Sequence, residues 1–394
     1  MKPGHSGNSD VSLRVSSDGS LPLALYFHWP YCARICPYCD FNVRKDTGVD
    51  EQKWMAAFVQ SIKTLADTYP GRTLRSVYFG GGTPSLMSPA LVSTLISTAL
   101  ASWESETSVE ITLEANPTDV EMSRFRAFRE AGVNRLSLGV QSLDNEQLEF
   151  LGRNHTGSDA RLALDTALAV FESVSFDLIY ALPHQTPSQW RQQLRAALGV
   201  GAPHLSLYQL TVEQGTAFER AVNRGHWKPT DGDACADFFD LTQEETASAG
   251  LTAYEISNHA KRGARSVHNL TYWRGDEYLG IGPGAHGRMT VDNKRMALVD
   301  VRDPSQWLDE VTELGHGVAE KHDLSQDEWF SERVSMGLRC EEGVGLSQDE
   351  WNQIQPNVSP LIEEGFMEQR DDRLVTTHKG KPVLNALLAE VLNT

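Results

Sequence analysis

The chain has 394 residues, a hydrophobic fraction of 40%, a formal net charge of -18 and a sequence pI of about 5.1. It is long enough for a large core, its composition is that of a globular protein, and its acidity argues against a general nucleic-acid binder. No apolar run reaches membrane-spanning length, and five cysteines in 394 residues are too sparse, and odd in number, for a disulfide framework.

Residues 1–20 are rich in Ser, Gly and Asp and lack an apolar stretch, so they are expected to be a disordered tail rather than a signal peptide. From Leu21 onward β-rich runs alternate with amphipathic ones. Strands are predicted at Leu23–Phe27, Ser76–Phe79, Val109–Leu113, Arg135–Gly139, Ser175–Ile179 and His204–Tyr208. Helices are predicted between them at Glu51–Thr68, Pro89–Ser102, Asp119–Ala131, Ser158–Phe171 and Pro187–Gly199. Six such units in series predict an α/β fold with parallel strands. Polar or glycine-rich residues follow most strands at once, which favours a partial barrel whose strand ends build a site.

The stretch from Thr211 to about Arg295 is less regular, and the texture changes again near Pro304. Helices are expected at Ser331–Gly337, Pro360–Glu364 and Pro382–Leu392. Phe366–Arg370 and Leu374–Thr377 flank Asp371-Asp372-Arg373 and predict a hairpin. The domain expectation is a barrel with its extension over 21–295 and an α+β, winged-helix-like module over 296–394. That module is acidic, which favours a structural or docking role over DNA binding.

The most informative feature is the spacing of Cys32, Cys36 and Cys39, C-x3-C-x2-C. Three thiolates fit one compact metal centre. Three is one short of the four irons of a cubane cluster, leaving a position for a small molecule. A zinc site that adds His28 is the alternative. Cys235 and Cys340 are isolated and read as small buried hydrophobes.

Other motifs stand at strand ends. Gly80-Gly81-Gly82-Thr83-Pro84 lets backbone approach a ligand closely, or is an ordinary glycine turn. Glu114 ends the third strand, Gln141 the fourth, and Arg153 follows twelve residues later. Asp177 lies inside the fifth strand, where an unpaired charge is costly. Each alone is consistent with a local salt bridge or cap. Together they gather polar groups around one mouth.

On these residues the chain resembles the oxygen-independent coproporphyrinogen III oxidase family of radical S-adenosylmethionine (SAM) proteins, from about Leu21 to the C-terminus. The resemblance implies a partial (β/α)6 TIM-like barrel. It implies a [4Fe-4S] cluster on Cys32, Cys36 and Cys39, with SAM on the fourth iron. Tyr26 and Tyr38 would pack beside cluster and SAM. Gly82, Thr83 and Pro84 would contact the methionine part of SAM. Glu114, Gln141, Arg153 and Asp177 would bind SAM or support its pocket.

Within that family the chain resembles the HemW-type haem chaperone branch more than the decarboxylases. The decarboxylases carry a further cysteine two residues after the third ligand, where this chain has Phe41. They also have a longer segment before the cysteines. His268-Asn269-Leu270-Thr271-Tyr272-Trp273 matches the HNxxYW motif tied to haem in the chaperone branch. A neutral imidazole can ligate haem iron, and Tyr272 and Trp273 offer flat surface for a porphyrin. From Lys261 to Arg288 there are five basic residues (Lys261, Arg262, Arg265, Arg274, Arg288) against two acids (Asp276, Glu277), which would favour propionates. A plain core role for His268 is the competing reading, and His286 is a second candidate. Gly280-Ile281-Gly282-Pro283-Gly284 resembles a dinucleotide fingerprint only superficially, since no helical pattern follows it.

The resemblance implies a cytoplasmic protein that takes up haem and passes it to an acceptor, such as a membrane respiratory haemoprotein. An electron donor would be needed if SAM is cleaved. No nucleic acid and no membrane span are expected. Coproporphyrinogen III oxidation is the enzymatic alternative, disfavoured by Phe41.

Overall fold

The computed structural model describes residues 21–392; the tail expected at 1–20 lies outside them. One twelve-stranded sheet carries the larger part of the chain. Its strands are β1 (Leu21–Trp29), β2 (Arg72–Gly81), β3 (Glu104–Ala115), β4 (Arg135–Gln141), β5 (Ser173–Tyr180), β6 (His204–Gln209), β7 (Thr252–Ala253), β8 (Asn258–Ala260), β9 (Glu277–Ile281), β10 (His286–Val291), β11 (Lys294–Asp300) and β12 (Val318–Asp323). They lie side by side in the order β12-β11-β10-β9-β1-β2-β3-β4-β5-β6-β8-β7. The six expected strands are all present, parallel and adjacent.

A seventh parallel strand was not expected. β9 pairs with β1, Leu25 opposite Leu279. The glycine-rich 280–284 run is therefore the end of a sheet strand and the turn after it. A Cβ at Gly282 would lie 2.5 Å from the His28 carbonyl oxygen, so glycine there admits a close backbone approach. Antiparallel strands extend both edges: β8 and β7 beyond β6, and β10, β11 and β12 beyond β9.

The helices begin where capping chemistry dictates. Asp50 accepts the N–H groups of Gln52 and Lys53 ahead of Glu51–Thr68. Ser88 caps Pro89–Ser102, with Pro89 in the first turn. Thr156 with Asp159, and Thr186 with Gln189, form reciprocal capping boxes for Gly157–Val170 and Pro187–Leu198. The helix expected over Asp119–Ala131 is instead two short pieces, Asp119–Met122 and Phe125–Glu130. Between them the Arg124 guanidinium reaches the carbonyls of Ser85, Leu86 and Met87.

These helices cover the outer face of the parallel strands, and the main core lies between. Phe27 and Phe79 stack at 5.1 Å, and Trp54 stacks on Trp307 at 5.4 Å. Strand side chains alternate, so Tyr26, Tyr78, Glu114 and Asp177 project to the other face, the barrel interior.

The expected boundary at 295/296 falls inside β11. The sheet continues to Asp323, and a separate core begins at Phe330 and includes Val334, Leu338, Ile354, Val358, Leu374 and Leu387. Helices Gln326–Gly337, Gln348–Glu363 and Leu384–Leu392 surround a three-stranded sheet of Val344–Gly345, Arg373–Thr376 and Met367–Arg370. Gln348–Glu363 is longer than expected because it continues through Pro356 and Pro360. Proline is a stop signal, but four residues apart both lie on one helix face, which localises the missing hydrogen bonds.

Candidate functional site

The cysteine loop leaves the top of β1. Tyr31–Cys32 pairs in parallel with Arg44–Lys45, and Asp46 N–H donates to the Cys32 carbonyl at 2.8 Å. Cys39 N–H donates to the Cys36 carbonyl at 3.2 Å, turning the loop between those two thiols. All five cysteines are free. Asn42 fastens the far end: its amide donates to the carbonyls of Pro283 at 2.9 Å and Arg302 at 2.7 Å.

His28 is not available as a fourth ligand. Its Nε2 meets the Asn42 carbonyl at 2.9 Å and its Nδ1 the Tyr26 hydroxyl at 3.2 Å. Among the described residues no three Cys, His, Asp or Glu side chains converge on a single-ion position. Three free thiols on one loop fit an iron–sulfur cluster better than a zinc ion. Burial raises the Cys32 thiol, eased by a hydrogen bond from Thr83, and pushes Cys39 up to about 11. Metal loading would therefore displace protons.

The glycine run lies against this loop. Gly82 N–H donates to the Trp29 carbonyl at 2.7 Å and Thr83 N–H to the Tyr31 carbonyl at 2.8 Å. A Cβ on Gly82 would lie 2.6 Å from the Tyr31 oxygen and 3.0 Å from Cys32 Sγ. Pro84 starts the short turn Pro84–Leu86 that follows.

Arg153 joins two strand ends to the cysteine loop. Its Nη1 donates to Cys36 Sγ at 3.2 Å, and its Nη2 to the Gly139 carbonyl at 2.9 Å and to Asn116 Oδ1. Tyr38 bonds with both Cys36 and Arg153, and its ring rests 6.2 Å from Phe218. Gln141 sits at a bulge in β4 with φ 69°, a left-handed conformation that a glutamine rarely adopts. Its Nε2 comes within 3.1 Å of the place a Gly139 Cβ would take. Such strain is kept where surrounding contacts impose it.

Two buried carboxyls complete the interior. Burial pushes Glu114 up to about 7; Asp177 adds to the rise, while the Tyr78 hydroxyl, donating at 2.7 Å, opposes it. Burial pushes Asp177 up to about 6, against the pull of Ser206 and Arg153. Burial therefore raises both carboxyls, Glu114 further than Asp177. Tyr26 stacks on Tyr78 with ring centres 6.1 Å apart.

The structure therefore brings Cys32, Cys36, Cys39, Tyr38, Gly82, Thr83, Pro84, Glu114, Gln141, Arg153 and Asp177 to one mouth. Tyr78, Asn116 and Ser206 belong to the same interior and were missed. A period-two reading would have found Asn116, two residues beyond Glu114; Tyr78 and Ser206 are revealed only by their sheet partners Tyr26 and Asp177.

His268 stands apart from that mouth. HNxxYW forms the helix Val267–Arg274, capped by Ser266 and closed by left-handed Gly275. His268 is only 1% exposed. Its Nδ1 meets Ser76 Oγ at 2.9 Å, its Nε2 meets the Tyr272 hydroxyl at 2.8 Å, and its ring stacks on Tyr78 at 4.7 Å. Burial pushes it down to about 3, so it is neutral, and its one lone pair is taken by a hydroxyl. His286 opens β10 and is exposed. Three of the five nearby basic residues are held in ion pairs too. Arg265, Arg274 and Arg288 pair with Glu341, Glu342 and Glu332 of the C-terminal module at 2.6, 2.7 and 3.0 Å. Their excess of positive charge joins the two modules.

A cavity of about 940 Å³ opens beside the cysteine loop, lined in part by Tyr38, Cys39, Phe41, Ile179 and Tyr208.

A radical SAM superfamily model matches residues 26–197 and a HemN C-terminal domain model matches residues 324–383. The heme chaperone HemW of Escherichia coli is 39% identical over 279 residues, covering 70% of this chain and 72% of that protein. The chain belongs to the HemW-type branch of the radical SAM superfamily. The heme chaperone HemW of Mycobacterium tuberculosis is 32% identical over 375 residues, covering 94% of this chain and 95% of that one. The mitochondrial radical S-adenosyl methionine domain-containing protein 1 of Bos taurus is 42% identical over 313 residues, covering 78% and 71%. The solved structure of coproporphyrinogen III oxidase (HemN) from Escherichia coli, a radical SAM enzyme, matches with a TM-score of 0.80 at 22% identity, over 94% of this chain and 90% of that one. That likeness shows a shared fold. Membership implies a [4Fe-4S] cluster and SAM. No helix among the described residues is long and apolar enough to cross a membrane.

Proposed function

We propose that this protein is a haem chaperone that binds haem beside a SAM-ligated cluster and passes it to an acceptor protein. Cys32, Cys36 and Cys39 hold the [4Fe-4S] cluster. Gly82, Thr83 and Pro84 receive the methionine part of SAM, while Glu114, Gln141, Arg153 and Asp177 form its pocket beside Tyr26 and Tyr38. The cluster supplies one-electron reduction of SAM if the radical step operates, and an electron donor is then required.

What supports haem handling over decarboxylation is Phe41. It is 59% exposed on the cavity wall. In the decarboxylases a cysteine takes this position. An exposed benzyl group offers apolar contact to a macrocycle and no thiol chemistry. The bacterial relatives named as heme chaperones support the same reading. His268, held by Tyr272, acts from behind, fixing the Tyr26–Tyr78 wall, and the imidazole does not ligate iron. The acceptor is a haemoprotein, such as a respiratory one in the membrane. Free thiols fit a reducing compartment, the cytoplasm.

The test uses anaerobically reconstituted protein with SAM and reductant. It should take up haem stoichiometrically and deliver it to an apo-haemoprotein. Conversion of coproporphyrinogen III to protoporphyrinogen would overturn the reading in favour of the decarboxylase.

A further inference from the structure

The cavity beside the cysteine loop has two unlike walls. The barrel side carries Asp40, Phe41, Tyr208 and Glu213, with Cys235 on the helix Gly232–Ser248. The other side belongs to the C-terminal module: Arg339 and the run Lys381–Ala386. At about 940 Å³ the cavity is near the top of the range for small-ligand pockets, about 300–1,000 Å³. Phe41, Tyr208 and Val383 present apolar surface to solvent at its edge.

The charges are segregated. Acids stand on the barrel wall and bases on the module wall. Arg265, Arg274 and Arg288 all have carboxylate partners across the same junction. Arg339 and Lys381 form no ion pair among the described residues. Arg339 donates to the Ser335 carbonyl and, at 3.3 Å, to Asn385 Oδ1, which leaves guanidinium donors over. The Lys381 ammonium makes no hydrogen bond among the described residues, although the charges of Glu341 and Glu255 act on it. Two cations with no carboxylate within ion-pair distance, beside an apolar cavity in a chain of net charge -18, suit an anionic, largely apolar ligand.

We propose that this cavity is the haem seat, with the two propionates turned to Arg339 and Lys381 and the macrocycle lying against Phe41, Tyr208 and Leu384. The proposal rests on the haem reading above and moves the contact away from the HNxxYW helix. It also carries a selectivity. Haem has both propionates on one edge, so its apolar edge faces the Asp40 and Glu213 wall. Coproporphyrins carry propionates around the ring and would push carboxylates against those acids, a like-charge penalty that rejects them.

The test is titration of the reconstituted, SAM-loaded full chain with haem, followed by Soret absorbance, with the iron complex of coproporphyrin III as comparison. Arg339→Gln/Lys381→Gln should weaken haem binding at least about tenfold, the scale of one lost charge-assisted contact. Asp40→Asn/Glu213→Gln should strengthen the coproporphyrin complex, and by more than it changes haem affinity. This second variant removes only acids, so it also decides the matter if the first does not fold. Haem binding unaltered by the first variant, or coproporphyrin binding unaltered by the second, overturns the seat while leaving the chaperone reading intact. No haem uptake by the unsubstituted protein overturns both.

Discussion

Replacing His268 with alanine should destabilise the protein without removing a haem ligand. The imidazole is 1% exposed and holds two hydroxyls, Ser76 at 2.9 Å and Tyr272 at 2.8 Å. Its loss leaves both without that partner, at about 1 kcal/mol each at the low end for buried groups. The vacated ring volume, against Tyr78, costs about 2 kcal/mol more, the low end for large-to-small core changes. The sum is about 4 kcal/mol. At about 2.1 cal/mol/K of unfolding entropy per residue over 394 residues, the melting temperature falls by about 5 °C. Calorimetry of the metal-free protein measures the fall, and haem titration of the reconstituted protein below the transition measures uptake. Haem uptake lost with an unchanged melting temperature would refute this reasoning and make His268 a direct ligand.

Gly82→Ala should prevent cluster retention, because its Cβ would lie 2.6 Å from the Tyr31 oxygen and 3.0 Å from Cys32 Sγ. Iron and sulfide per chain after anaerobic reconstitution should fall by half or more; full occupancy would contradict the crowding argument. Arg153→Gln removes the donors to the Gly139 carbonyl and Asn116 and should cost about 2–5 kcal/mol in urea unfolding. A loss of under about 0.5 kcal/mol would mean that those acceptors find other partners. Asp300 gives the pH dependence: burial pushes it from 3.8 up to about 7, against hydrogen bonds from Trp307 and Gly282. The folded state then holds the proton more tightly than the unfolded chain. The contribution is full below about pH 4 and is lost as pH rises to about 7, at no more than about 1.4 kcal/mol per pH unit. Asp300→Asn should flatten stability between those limits, and urea midpoints that keep the original slope would count against it.

The helices Glu51–Thr68 and Pro89–Ser102 were legible to the residue because Asp50 and Ser88 announce their starts by local chemistry. The six strands were legible from apolar runs. β9 was not, since Gly280 breaks its short pattern and only its partner β1 reveals it. The cysteine spacing pointed to a metal centre but left zinc with His28 open until the structure showed both His28 nitrogens engaged. Arg153 was readable as a site residue, but its bond to Cys36 joins positions 117 apart and no local pattern encodes it. The role of the 261–288 basic cluster could not be read, because its acidic partners stand far ahead in the C-terminal module.

The Asn42 amide carries a consequence for how the molecule is made. Its acceptors, Pro283 and Arg302, lie 241 and 260 residues further along the chain. At about 5–20 residues per second, the ribosome needs roughly 13–50 s to reach them after Asn42 has been laid down. Through that interval the three thiols belong to a loop with one end loose. The loop that carries them is fastened at both ends only once β9 and the turn after it have been made.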